Sequence, residues 1–443
     1  MSLAARSLKI NLFTIQTLDG STSIDLAGSS SIGIVDYFES ILSPCITLKA
    51  IIAHSTSLTN TLPIRGGEKV LINISTAFGD LSFEDERALY VYNVFGINTD
   101  STGESFGLNL VSREMITNET SRCMSRYNGK IDDSVKRILK EVLKTEKFKP
   151  ENILSTANTY SFIGNMKNAF SVIYWLCNKA LPTQNSVKTK EVNKAGMTRG
   201  VSGYLFYENI EGFNFKSVES LVSRTNAGTS DLKNIPKYVY TQAIESNVTE
   251  NEFKIINYSI DKNSDLIKAL RTGVYSNITY FYNIYTNKLS IYQYKLKDEI
   301  QKASKLGTNS SIAVSEELGN SISRIFVRTS DVGVMDNNFT GSTFDEGQQR
   351  DIADIAKSTS RYNILFMQSL NMMVPCNVKL KVGDVIYVEF PKLEQKNVKE
   401  IDEEQSGLYL IAELRHHISP GNMVTSLKLI RDSYGVYGSE NVV

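Results

Sequence analysis

Apolar β-branched or aromatic residues recur at every second position at Val70, Ile72 and Ile74, and again more than 300 residues later at Val385 and Tyr387. Both runs open on a Gly-acid turn, Gly67-Glu68 and Gly383-Asp384, and both lead into a charged loop. A strand opening on Leu-Tyr follows in each (Leu89, Tyr90, Val91; Leu408, Tyr409, Leu410), then a Gly-containing turn and a closing strand (Phe106 to Val111; Val424 to Ile430). Aligning Val70 with Val385, Leu89 with Leu408 and Arg113 with Arg431 preserves the spacing apart from one loop-length change. Period-2 runs bounded by turn residues predict strands, and closure into a barrel removes the exposed edges of a small antiparallel sheet. The pattern therefore predicts two related β-barrels; chance similarity between common strand sequences is the competing reading.

Between the two copies the period changes. Ile131, Val135, Ile138, Leu139, Val142 and Leu143 fall on one helical face, with Asp132 as the expected N-cap. A second helix is expected over about 165–180, ending before Pro182, and residues 183–200 read as a polar loop. The segment 203–221 reads as a hairpin opening the second barrel, and a helix near 347–369 returns the chain to it. The fold class expected is α+β, mainly β. Its parts are a first barrel at 7–117, an inserted helical or mixed domain at 118–197, a discontinuous second barrel at 198–245 and 346–435, an inserted mixed domain at 246–345 and a tail at 436–443. The length fits two to four domains at roughly 100–200 residues each.

Charge is balanced, 48 basic against 48 acidic residues, so at chain level there is no basic footprint for DNA or an anionic membrane. Cys45, Cys123, Cys177 and Cys376 are scattered without metal-ligand spacing and read as buried hydrophobes in a reducing compartment. With no run of 18 apolar residues, no membrane anchor is expected.

Little points to catalysis. His416 and His417 are adjacent on a strand and face opposite ways, leaving His54 alone. Asp336 to Gly341 starts like a calcium loop, but its twelfth position would be Gly347, with Glu346 one residue short. No catalytic, cofactor or metal residue is assigned. The acidic loops, Asp80, Glu84, Asp85 and Glu86 in one copy and Glu394, Glu400, Asp402, Glu403 and Glu404 in the other, are either solvated hairpin loops or faces turned to a shared channel or partner.

Four stretches together resemble the baseplate hub protein of contractile-tailed bacteriophages, whose barrels are shared with the type VI secretion spike. They are GGEKVLINI with ALYVYNVFGI; IDDSVKRILKEVL with TYSFIGNMKNAFSVIYWLCNKA; GYLFYENIEGFNFKSVESL; and SRYNILFMQSLNMMVPCNVKLKVGDVIYVEF with LYLIAELRHHISPGNMVTSLKLIRD. The resemblance implies a homotrimer whose six barrels form a pseudo-sixfold ring, joining a tail tube or tube-initiator protein to a trimeric central spike and meeting baseplate wedge proteins. DNA would pass through unbound, in a virion assembled in the host cytoplasm. A tail-associated cell-wall hydrolase, with an extra domain in 246–345, is the alternative from another class. A contractile secretion spike is a third, set back by the lack of a repetitive β-helix segment.

Overall fold

The computed structural model describes residues 8–28, 31–55, 58, 62–101, 103–183, 203–223, 235–240, 253–262, 265–284, 287–299, 305–307, 315–329, 356–392 and 401–435. Eight strands form the N-terminal unit: β1 (Leu8–Gln16), β2 (Ser23–Asp25), β3 (Ile32–Ser40), β4 (Thr47–His54), β5 (Lys69–Thr76), β6 (Gly79–Phe83), β7 (Leu89–Thr99) and β8 (Glu104–Ser112). Two short strands, β9 (Arg126–Tyr127) and β10 (Phe162–Ile163), pair inside a helical insertion, and β11 (Tyr204–Asn209) pairs with β12 (Gly212–Ser217). The C-terminal unit is built from β13 (Lys237–Val239), β14 (Asn257–Lys262), β18 (Gln368–Pro375), β19 (Val385–Glu389), β20 (Gly407–Ser419) and β21 (Asn422–Arg431). Between them, β15 (Ser276–Asn283), β16 (Lys288–Lys295) and β17 (Arg324–Thr329) make a separate three-stranded sheet.

The protein is mainly β. A 14-stranded sheet runs β14-β18-β21-β20-β3-β4-β8-β7-β5-β1-β2, with β6 on β5 and β13 on β19, and every pairing but β13 with β19 is antiparallel. Two halves of this sheet lie where the two barrels were expected, and no closed barrel is seen among the described residues. In the first half the free edge of β3 is taken by β20 of the other half, so it is not open to a closing partner; in the second half a parallel bridge, Val239 with Lys254, brings β13 to the residues leading into β14.

The repeat is visible in the backbone. Gly67 N–H donates to Val91 O (2.6 Å) and Val91 N–H to Glu68 O (3.0 Å); Gly383 N–H donates to Ile411 O (3.0 Å) and Ile411 N–H to Asp384 O (2.9 Å). Both glycines have positive φ, 95° and 89°, a conformation that costs glycine little. Val91 faces Leu110 and Ile411 faces Leu429, and in both copies the next residue, Tyr92 or Ala412, is an extra one in the ladder. The match continues outward, Leu110 to Leu48 to Tyr37 in one copy and Leu429 to Leu370 to Ile260 in the other.

This register corrects the sequence alignment by one residue. Val70 pairs with Leu89, whereas Ile386 pairs with Tyr409, so Val70 corresponds to Ile386 and Leu89 to Tyr409. On the closing strand Val111 corresponds to Ile430, which puts Ser112, not Arg113, against Arg431.

Three other expectations change. The hairpin β11–β12 stays out of the large sheet. Leu205 and Tyr207 enter the sheet's core, while Tyr204, Phe206, Phe213 and Phe215 enter the core of the helical insertion. β14, expected in an inserted domain, pairs with β18 in the large sheet. The helix Ile131–Glu141 has Lys130 at its N-cap; Asp132 lies in its first turn, where its carboxylate accepts from Thr156 N–H (3.0 Å), Thr156 Oγ1 (2.8 Å) and Lys136 (3.0 Å). The second helix is Ala169–Cys177, and residues 356–365 form the returning helix. Residues 184–200 and 347–355, and the calcium-like run with them, lie outside the described residues.

The paired glycine turns give a test of the repeat. A Cβ at Gly383 would collide with the Tyr207 hydroxyl, whereas one at Gly67 meets only the flexible end of Leu18 at 2.8 Å. Denaturant unfolding of Gly383→Ala is expected to show a loss of about 2–3 kcal/mol, and Gly67→Ala about 1 kcal/mol; equal, negligible losses would remove these turns as fixed points of the repeat.

Candidate assembly joint

The two halves meet where Glu413 to Ile418 of β20 lies antiparallel to Val35 to Ser40 of β3. Alternation along β3 sends Asp36 to one face and Tyr37 to the other. On the outer face Asp36 receives a two-pronged bond from Arg415, Nε to Oδ1 at 3.0 Å and Nη2 to Oδ2 at 2.9 Å, and His417 Nδ1 sits 2.7 Å from Oδ1. Such fork geometry fixes orientation as well as distance. Arg415 also reaches over the Phe38 ring, 5.8 Å to its centre. On the inner face the His416 ring stacks on Tyr37 (5.8 Å between centroids, 9° between planes) and bonds Thr425 Oγ1 at 2.8 Å. Burial pushes the His416 pKa down to about 4, so the ring is neutral near pH 7. The two histidines thus face opposite ways, as strand geometry requires.

Beside this joint a buried carboxylate gathers three chain segments. Glu39 accepts from Ile210 N–H (2.6 Å) in the hairpin turn, from Val382 N–H (2.8 Å) before the second glycine turn, and from the Tyr37 hydroxyl (2.6 Å). Glu208, on β11, accepts from Ile46 N–H (3.1 Å) and Ser112 Oγ (2.5 Å), tying the hairpin to the first unit. Burial raises the pKa of both carboxyls to about 7; donated hydrogen bonds pull the other way without overcoming it. A third cluster closes the second unit: Arg361 lies between Asp432 (2.8 Å) and Glu219 (3.3 Å), all three buried.

The acidic loops lie at the other end of β7 and β20. Asp80, Asp85 and Glu86 are exposed; Glu84 accepts from Asn73 Nδ2 (2.6 Å) and Ser82 Oγ (2.9 Å), which lowers its pKa. In the second copy Asp402 accepts from the N–H groups of Glu404 (3.0 Å) and Gln405 (3.2 Å). Arg431 holds the loop's main chain through Ser406 O (3.0 Å) and Glu404 O (3.4 Å), while Glu403 is exposed. Glu394 and Glu400 lie outside the described residues.

A groove of about 540 Å³ crosses the outer face of the joint, with Phe38, Ser259, Asn371, Arg415 and Lys428 in its wall. Among the described residues no group of three or more His, Cys, Asp or Glu side chains is placed to hold a metal, and no helix is long and apolar enough to cross a membrane. The four cysteines are buried and unpaired. Sequence reading passed over Asp36, Glu39 and Arg415. Their available signal was charge inside otherwise apolar strands, DYFES and LRHHIS.

No protein-family model matches the chain. It is 20% identical over 239 residues to a probable baseplate hub protein, gp334, of Vibrio phage KVP40, a match covering 52% of each chain. The chain thus matches about half the length of that curated relative. The 43 kDa tail protein of prophage MuSo2 from Shewanella oneidensis superposes with a TM-score of 0.52 at 9% identity, covering 97% of this chain and 100% of that one. A tail protein from Neisseria meningitidis MC58 gives 0.51 at 10% identity, with 95% and 96% covered. This is a phage tail-protein fold. The resemblance to a phage baseplate hub protein is borne out, and the tail-protein fold extends over nearly the whole length of this chain.

The two raised carboxyls set a pH dependence. Glu39 and Glu208 bind their protons more tightly folded, at about 7, than at the ordinary 4.5. Their contribution to stability is therefore full below pH 4.5 and is lost as pH rises through about 7. Unfolding curves of Glu39→Gln measured from pH 4.5 to pH 8 are expected to show a shallower decline than the parent chain. An unchanged slope would mean that Glu39 stays ionised in the fold.

Proposed function

We propose that this chain is a structural baseplate hub of a contractile phage tail. It works as a homotrimer that adapts a sixfold tail tube, or a tube-initiator protein, to a threefold central spike, with wedge proteins around it and DNA passing through unbound. The observation that carries this reading is the repeated unit within one chain: glycine turns, bulges and ladder register recur in both halves. Three copies of a chain holding two equivalent units present six near-equivalent positions to one neighbour. Their differing insertions present three to another. A duplicated unit is the smallest device that does both.

The balanced charge suits a conduit that does not hold its cargo. In this reading the acidic loops, Asp80 to Glu86 and Glu394 to Glu404, stand at the channel or its rim, where six like-charged clusters repel phosphates. Screening over about 8–10 Å at physiological salt confines that effect to a narrow bore. The protein acts through its surfaces and not by catalysis.

Native mass spectrometry of the chain bound to its spike is expected to give three copies of each; a dimer or a true hexamer would contradict the hub reading. Changing Glu84, Asp85, Glu86, Asp402, Glu403 and Glu404 to their amides is expected to leave assembly intact and slow DNA delivery. Glu84→Gln keeps a carbonyl able to accept from Asn73 and Ser82. Delivery at the parental rate would place the loops away from the bore.

A further inference from the structure

Away from the joint, the helical insertion concentrates both charge and exposed apolar side chains. Residues 118–183 hold eleven Lys and Arg against six Asp and Glu, a net charge of +5, whereas the rest of the chain holds 37 against 42, a net −5. The ion pairs of the insertion use Lys136, Arg137, Lys140, Lys147 and Lys149. Arg126, Lys130 and Lys167 are exposed and belong to none of those pairs.

The same insertion carries the chain's one tryptophan, Trp175, 41% exposed near the end of the helix Ala169–Cys177. Its ring packs edge-on against Phe162 (5.3 Å) and Tyr160 (5.4 Å), and Phe162 stacks on Tyr127 (4.9 Å). Lys179 Nζ lies 4.9 Å from the centre of the Trp175 ring. Next to this cluster β10 pairs with β9, setting Ile163 opposite Arg126. Main-chain bonds tie the two loops there: Lys167 O accepts from Cys123 N–H (2.9 Å), Cys123 O from Met166 N–H (3.0 Å) and Ser125 O from Gly164 N–H (3.1 Å). A Cβ at Gly164 would strike the Cys123 carbonyl, so glycine is what lets the loops close. What they display is apolar: Met124, Ile163 and Met166 are 64%, 60% and 61% exposed.

A tryptophan backed by aromatic rings, beside adaptable methionines and cations, has the make-up of a binding hot spot. Loops already held in place lose little freedom on binding. Charge selects the occupant, because cations outside the insertion's own ion pairs are complemented by carboxylates. Single-stranded nucleic acid would need several open rings to stack on. Tyr127 and Tyr160 are buried and Phe162 is half-buried, which leaves Trp175 alone in this cluster.

We propose that an acidic segment of another protein docks across this end of the insertion. One of its apolar side chains packs on Trp175 and another on Ile163 and Met166, while its carboxylates reach Arg126, Lys130 and Lys167. Docking of this kind asks nothing of the hub assembly, so the purified full chain suffices to test it.

Trp175, as the chain's only tryptophan, reports its own burial. The probe is a synthetic peptide of glutamates with spaced leucines, titrated into the full chain while tryptophan emission is followed. The expected result is a saturable shift to shorter wavelength. Using an all-glutamate peptide of equal charge, or the double variant Arg126→Glu with Lys167→Glu, is expected to weaken binding about tenfold. In the unaltered chain, raising salt from about 0.1 M to about 1 M shortens the screening length from about 10 Å to about 3 Å and is expected to weaken binding as well. No shift with the leucine-bearing peptide overturns the proposal. So does an equal shift with oligothymidylate, which would mark a nucleic-acid site, or an affinity that neither salt nor the charge reversals alter.

Discussion

The pairing of β3 with β20 is the constraint on which the arrangement depends. It sets Tyr37 on His416 within the core, aligns Asp36 for the Arg415 fork outside it, and converts two units into one sheet with a continuous apolar core. Taking Asp36 nearly out of water is costly; three hydrogen-bonding contacts from Arg415 and His417 offset that cost and leave little freedom of register. A slip of β3 by one residue would turn Tyr37 outward, away from His416, and Asp36 inward.

The helical insertion and the hairpin lock onto this joint through charge and apolar packing together. Glu39 and Glu208 each satisfy main-chain donors from segments distant in sequence, so the hairpin turn, the second glycine turn and the start of β4 are held to one place. Truncating either carboxylate would leave buried N–H groups without an acceptor, at about 1–3 kcal/mol each. The hairpin's alternate residues split between two cores, so it couples the insertion to the sheet without being part of either.

Much of the fold was legible because Val70, Ile72 and Ile74 alternate with half-buried neighbours on a sheet with one apolar face. The second copy was harder. Val385, Ile386, Tyr387 and Val388 are all buried, so alternation no longer marks a face and the alignment slipped by one residue. What fixes the correct register is backbone, namely two positive-φ glycines and two bulges, of which only the glycines leave a trace in sequence. The joint residues Asp36, Glu39 and Arg415 were missed because partners almost 400 positions apart, such as Asp36 and Arg415, leave no local pattern. Barrel closure followed from edge protection within each unit; the edge of β3 is instead covered by β20 of the other unit.

The central claim is that the two halves are equivalent units arranged about one axis. A cryo-electron-microscopy reconstruction of the assembled tail tip tests it most directly. The account predicts that the turns at Gly67 and Gly383 lie at one radius and one height, alternating around the axis. Turns at different radii, or on opposite faces of the ring, would contradict it.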